Sequence, residues 1–176
     1  KVKIQKHLET SGLANASIGT GEFLENLQMR IPFGPLTGKS PLEKTDAGYV
    51  LHSLADRGAV CIHSWIGRDM GPAATALMSQ YTTRSAEING QTFVLGVARS
   101  SVEDYAAELS KGLGERIQIQ YEGKLGIPAL DDMLAFTNEF ESYPGVEVPD
   151  PRLKRLGVTM GTAEEFARTV LRPRFE

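Results

Sequence analysis

Residues 49–72, YVLHSLADRGAVCIHSWIGRDMGP, hold two of the chain's three histidines, its only cysteine and its only tryptophan. Val50, Leu51 and Leu54 recur at helical spacing, with Thr45 or Asp46 ahead as a cap and Gly58 behind as a stop, so a helix is predicted. Residues 59–66, AVCIHSWI, read as a strand buried on at least one face. A short turn, Gly67-Arg68-Asp69-Met70-Gly71, then leads into a second helix with Pro72 in its first turn. A chain that passes from helix to buried strand to helix in so short a span belongs to a layered helix-and-sheet architecture.

Upstream, KVKIQKH alternates lysines with Val2 and Ile4 and reads as an edge strand. GEFLENLQMR follows a polar loop and suits a short helix. Residues 31–41, IPFGPLTGKSP, place three prolines and two glycines in eleven residues, which predicts an irregular covering or contact loop. Downstream, SAEI and QTFVLGVA flank Asn89-Gly90, the preferred dipeptide of a two-residue hairpin turn. Ser100 with Glu103 forms a capping box for a helix that ends at Gly112 or Gly114. RIQIQYE alternates strictly, as a half-exposed strand does, and Pro128 opens a helix with Leu130, Met133, Leu134 and Phe136 inward. Residues 144–151 hold three prolines and should stay extended, before Thr162 and Glu165 cap a last helix. The predicted class is α+β: a mixed or antiparallel sheet with helices packed on one face. Residues 1–143 form the core domain, and 144–176 form an extended proline-rich C-terminal arm ending in a short helix.

A length of 176 residues is enough to bury a real core, and 41% hydrophobic with 23% charged residues is ordinary for a globular protein. No apolar run is long enough to span a bilayer as a helix. One cysteine excludes a disulfide framework and a multi-thiolate zinc site. With no signal-peptide pattern, it points to a reducing, cytoplasmic compartment. The sequence opens at Lys1 rather than Met, so a trimmed, processed or excised start is expected. Residues 101–147 carry ten acids against three bases, while 148–176 carry six bases against four acids. The acidic middle and the few aromatics, not interleaved with basic residues, disfavour nucleic acid.

Two groups of residues can carry chemistry. Gly67, Arg68 and Gly71 surround a turn into a helix, where exposed amides and a guanidinium suit a phosphate or carboxylate, although the spacing matches neither the P-loop nor the dinucleotide fingerprint. Asp69 in the same turn serves as a helix cap or as a catalytic candidate. Cys61 and His63, two apart on a strand, share a face, and His52 sits four residues from Asp56 on the predicted helix. A cysteine beside a histidine is the minimum for a thiolate nucleophile, and two histidines with a cysteine can bind a transition metal. A buried cysteine is more often a small hydrophobe, so neither a metal nor a cofactor is expected. The arm, the 31–41 loop and the charge contrast together predict a non-catalytic binding or assembly subunit, a homo-oligomer or part of a larger assembly. The alternative is a small-molecule enzyme or sensor that binds an anion at 67–71, with His52, Cys61 or His63 as acid-base or nucleophile.

Overall fold

The computed structural model describes residues 2–32 and 36–176. It is a mixed α/β structure. Helix α1 (Val2–Thr10) precedes β1 (Ala16–Thr20) and β2 (Glu22–Phe23), then a 3-10 turn over Leu24–Gln28. A hairpin of β3 (Leu42–Thr45) and β4 (Gly48–Ser53) leads to β5 (Val60–Ser64) and the long helix α2 (Ile66–Gln80). Then come α3 (Ser85–Ile88), β6 (Gln91–Leu95), β7 (Ala98–Ser101), α4 (Val102–Leu113), β8 (Ile117–Tyr121) and α5 (Pro128–Glu139). The chain ends with α6 (Pro151–Arg155) and α7 (Ala163–Phe166), a π turn over Ala167–Leu171, and α8 (Arg172–Phe175).

The strands pair in both senses, as the mixed-sheet expectation requires. β1 runs parallel to β6, β2 to β5 and β4 to β8, while β3/β4 and β5/β7 are antiparallel. One core cluster joins Leu51 and Cys61 to Tyr105 and Leu109 of α4 and to Phe166 and Leu171 near the C-terminus. A second packs Ala73 and Leu77 of α2 against Phe93 and Leu95 of β6 and Leu153 and Leu156 of the α6 region.

Several local signals resolve differently in the folded chain. Residues 2–10 are helical rather than an edge strand; Ile4 and Leu8 are also one turn apart, and Lys, Gln and Glu favour a helix. The helix expected after Thr45 is the β3/β4 hairpin. The Thr45 hydroxyl donates to the Gly48 carbonyl at 3.1 Å and accepts from the Ala47 amide at 3.3 Å, so the residue that suits a helix cap closes a two-residue turn. SAEI is a helical turn, and Asn89-Gly90 ends it with Gly90 at φ 71° instead of joining two strands. β6 finds its partner β1 some 75 positions away, with Ala16 opposite Gln91. Helix α4 is capped by Ser101 accepting from the Asp104 amide, one residue beyond the predicted box. The Thr162 cap forms as read, accepting from the Glu165 amide at 3.0 Å.

The extended C-terminal arm is corrected. Leu153, Phe166 and Leu171 are fully buried in the two core clusters. The buried Asp150 carboxylate accepts from the Val94 amide at 3.0 Å and caps α6 through the Arg152 amide at 2.9 Å. α7 crosses α4 so closely that a Cβ on Gly112 would lie 2.2 Å from the Glu164 carbonyl. Phe33, Gly34 and Pro35 of the 31–41 loop lie outside the described residues; its ends are tied by Ile31 N–H to Lys39 O and Gly38 N–H to Ile31 O, each 2.8 Å. α5 buries none of its residues, and Met133 and Phe136, expected to face inward, are more than half exposed.

Candidate functional site

In open α/β sheets the chain leaves a crevice beyond the carboxyl ends of parallel strands, and ligands bind there. Here β1 ends at Thr20 and continues through Gly21 into β2, whose Glu22 and Phe23 lie in register with His63 and Ser64 of β5. The passage is tight: a Cβ on Gly21 would sit 1.9 Å from the Ile62 carbonyl, so this residue lets two backbones meet. Two adjoining cavities open beyond this junction. The outer, about 360 Å³, is lined by Thr20, Gly21, Asn26, Thr137 and Ser142. The inner, about 260 Å³, is lined by Leu27, Leu51, His52, Ala55, His63, Val102 and Tyr105. Glu22, Phe23, Asn26, Cys61, Met133 and Leu134 border both.

Cys61 and His63 line the inner cavity together, as their two-residue spacing on a strand implies. Their chemistry is that of quiet groups. Burial pushes the Cys61 thiol up to about 12, with the charge of the hydrogen-bonded Glu22 carboxylate adding to the shift. A thiol in that state carries no useful thiolate at neutral pH. Burial alone lowers the His63 imidazole to about 4, so the ring is neutral. It stacks on Tyr105 with centroids 3.8 Å apart and planes at 8°, and its Nε2 has no hydrogen-bond partner. Desolvation also raises the Glu22 carboxyl, against the opposing hydrogen bond from Cys61, although the residue remains reachable by solvent. The Tyr105 hydroxyl is held well above its ordinary value by burial, then by the nearby charges of Glu22 and Glu25.

His52 also lines the inner cavity, but from strand β4, and Asp56 is not its partner. Its Nδ1 meets Glu122 Oε1 at 2.6 Å and its Nε2 meets Glu43 Oε2 at 3.3 Å, so both ring nitrogens tie β4 to neighbouring chain. Glu22, Tyr105 and Asn26 were not singled out by sequence reasoning. Glu22 and His63 become neighbours only through the β2/β5 register, which no spacing in the chain announces.

Residues 67–71 are not a turn: they are helical, within α2, which starts one residue after Trp65. Two amides at its start are served by Glu25, which accepts from the Gly67 amide at 2.6 Å and more distantly from Ile66 at 3.4 Å. Arg68 pairs with Asp69, donates to the Thr159 carbonyl at 3.0 Å and lies over the Trp65 ring at 5.5 Å. Asp69 is fully buried, accepts from the Gly161 amide at 3.2 Å, and has its pKa raised by desolvation. Arg68 and Asp69 therefore hold the C-terminal segment against α2, Gly67 meets Glu25, and none of Gly67, Arg68, Asp69 and Gly71 borders either cavity. Among the described residues, no group of three or more histidines, cysteines and carboxylates is placed to hold a metal, and no helix is long and apolar enough to cross a membrane.

At the level of sequence, no protein family and no curated protein matches this chain. In three dimensions the chain is similar in fold to several solved structures. The structures it resembles include NmrA, a negative transcriptional regulator, solved in complex with NAD (TM-score 0.72, 18% identity, 99% of this chain). They also include the NADP complex of NmrA (0.71, 16%, 99%) and a doubly substituted mutant of NmrA (0.73, 20%, 100%). A nucleoside-diphosphate-sugar epimerase from Staphylococcus aureus superposes less closely, with a TM-score of 0.57 at 15% identity over 95% of this chain. The chain spans 56–58% of the length of these proteins. This corrects the expectation of a non-catalytic assembly subunit docking through its C-terminal arm. The fold is shared along the whole chain with a nucleotide-complexed regulator and an epimerase, and the would-be arm belongs to the core.

Proposed function

We propose that this chain forms the ligand-binding part of a sensor or regulator built on the fold of NmrA, taking a small molecule in the cavity beyond the carboxyl end of β1. The observation that carries the reading is the inner cavity itself, about 260 Å³, mainly apolar and lined by Leu27, Leu51, Val102 and Leu134 with the neutral ring of His63. Sensing is favoured over catalysis by the state of the side chains. The Cys61 thiol is held protonated, His63 is neutral, and both nitrogens of His52 are committed to carboxylates. The Cys61 thiol and the His63 ring are thus not poised as a nucleophile or a base near neutrality.

NmrA and its complexes raise the question of a dinucleotide. The described residues do not fit its pyrophosphate. Helix α2 has Glu25 at its first amides, and α4 has Ser101, Glu103 and Asp104 at its start. These two strand-to-helix junctions thus present carboxylates where a phosphate cradle needs free amides.

A larger groove of about 420 Å³ lies between β1 and α2, lined by Ile18, Leu77, Met78 and Tyr81. It is open and presents no unpaired buried polar atom, so it offers apolar contact without a directional group. Thermal unfolding in the presence of a set of small neutral molecules and of NAD and NADP tests the proposal. Neutral molecules should raise the melting temperature of the unsubstituted chain and lose that effect in Leu54→Trp, which enlarges a side chain lining the inner cavity. Stabilisation by NAD or NADP alone, insensitive to Leu54→Trp, would contradict it.

A further inference from the structure

We infer that helix α5 is a lid over the cavity pair: it stands away from the body in this structure and closes on a ligand, taking exposed apolar side chains at the opening out of water. This rests on the pocket reading above and adds how entry to that site is controlled.

The first support is how α5 is held. It is fixed at its ends. Ahead of it, the Glu122 amide donates to the Ser53 carbonyl at 2.8 Å, and Leu125 is buried. Behind it, Arg99 donates to the carbonyls of Tyr143 at 3.0 Å and Val146 at 3.1 Å. Between those anchors, Asn138 Oδ1 accepts from the Asp56 amide at 3.2 Å. The other side-chain hydrogen bonds of α5 among the described residues stay local: Asp131 accepts from the Leu125 and Gly126 amides, and Thr137 donates to the Met133 carbonyl. Gly126 and Gly145 bracket the helix at φ 77° and 75°, and a Cβ on either would meet nothing within 4 Å. Such open ends can absorb the backbone rotation of a closing helix.

The second support is the space beneath it. Protein interiors hold few voids larger than a water molecule. Leu134 nevertheless borders three cavities at once: the outer, the inner, and a third of about 310 Å³ shared with Leu54, Asp56 and Asn138. A seated helix would fill that space. Met133 of α5 and Phe23 of β2, which border the outer and inner cavities together, are both exposed. Apolar side chains on two elements of one opening lose water when those elements close on a ligand, and that burial favours the closed form. A helix anchored at two ends and resting on voids moves as a unit, as lids do.

Two measurements with 2-naphthol as the probe test the lid. Amide exchange of residues 130–138 should slow at least about 10-fold when the probe is saturating, while the amides of α4 keep their rates. A disulfide in the Asp56→Cys/Asn138→Cys chain, placed where α5 meets the body, fixes the helix where it stands. Cys61 is buried with its thiol pushed up to about 12 and does not compete. Reduced, this variant should bind the probe as the unsubstituted chain does; oxidised, it should bind roughly 10-fold more weakly. Should the disulfide not close, exchange alone decides. Equal binding in the two redox states, or α5 exchange unmoved by a bound probe, overturns the lid and leaves the pocket reading standing so long as Leu54→Trp abolishes binding. A doubled mass by light scattering, with α5 amides already slow in the free chain, would show a second copy covering the helix and also overturns the lid alone. Binding that is absent, or untouched by Leu54→Trp, overturns both.

Discussion

At the residue scale the account turns on groups held away from their ordinary titration ranges. In the unfolded chain His63 takes up a proton near 6.5, whereas in the native cavity it does so only near 4. Between those values the unfolded state binds more protons, so stability falls as pH drops through the window, by about 3 kcal/mol at its acid end. The raised carboxyls of Glu22 and Asp69 act in the opposite sense, because each is protonated more readily in the native state. Denaturant midpoints from pH 7 to pH 4, compared between the unsubstituted chain and His63→Phe, isolate the histidine. The variant should lose less stability on acidification by about that amount, and parallel curves would show that His63 is not buried neutral. Native Cys61 should likewise resist a thiol reagent at pH 8 until the chain unfolds, since its thiol is pushed up to about 12. The shared face of Cys61 and His63 was legible from their spacing on one strand. Glu22 and Tyr105 were not, because the β2/β5 register and the docking of α4 place them there, and both are set by contacts across the chain.

Elements were legible where their signals are local. α4 and α7 carry their own caps, and Pro128 marks the start of α5. β8 shows a strict alternation that survives into the structure. The start of α2 was missed because its cap comes from Glu25, some forty residues earlier, while Pro72 supplied a persuasive but misplaced local signal. Removing that distant carboxylate with Glu25→Ala should lower stability by roughly 1 kcal/mol, the usual loss for an N-cap, measured by chemical denaturation. An unchanged midpoint would mean that α2 is served otherwise. The β3/β4 segment was misread because Thr, Asp and Gly begin and end turns as readily as helices. α5 is loosely seated: it buries no side chain, Phe136 and Phe140 stack in the open, and Asn138 accepts from the Asp56 amide at 3.2 Å. Its amides should exchange with solvent much faster than those of α4, whose Val102, Tyr105 and Leu109 are buried.

For the whole molecule the decisive contribution comes from the segment that composition alone assigns to an extension. The proline-rich stretch expected to stay extended opens the short helix α6 at Pro151, and periodicity could not show that Leu153, Phe166 and Leu171 complete two cores built mainly from earlier chain. Phe166→Ala should therefore destabilise the entire protein, by about 3–5 kcal/mol, in one cooperative transition. Gly112→Ala should cost about 1–3 kcal/mol through the α4/α7 crossing. Thr20 at the end of β1 lines the outer cavity, Glu22 borders both cavities, His63 lines the inner one, and Leu134 of α5 borders both. Nuclear Overhauser contacts from a bound neutral aromatic such as 2-naphthol decide which cavity takes a ligand. The account requires contacts to the methyls of Leu51, Val102 and Leu134, which line the inner cavity. Contacts instead to Ile18, Leu77 and Met78 would place the ligand in the groove between β1 and α2 and contradict it.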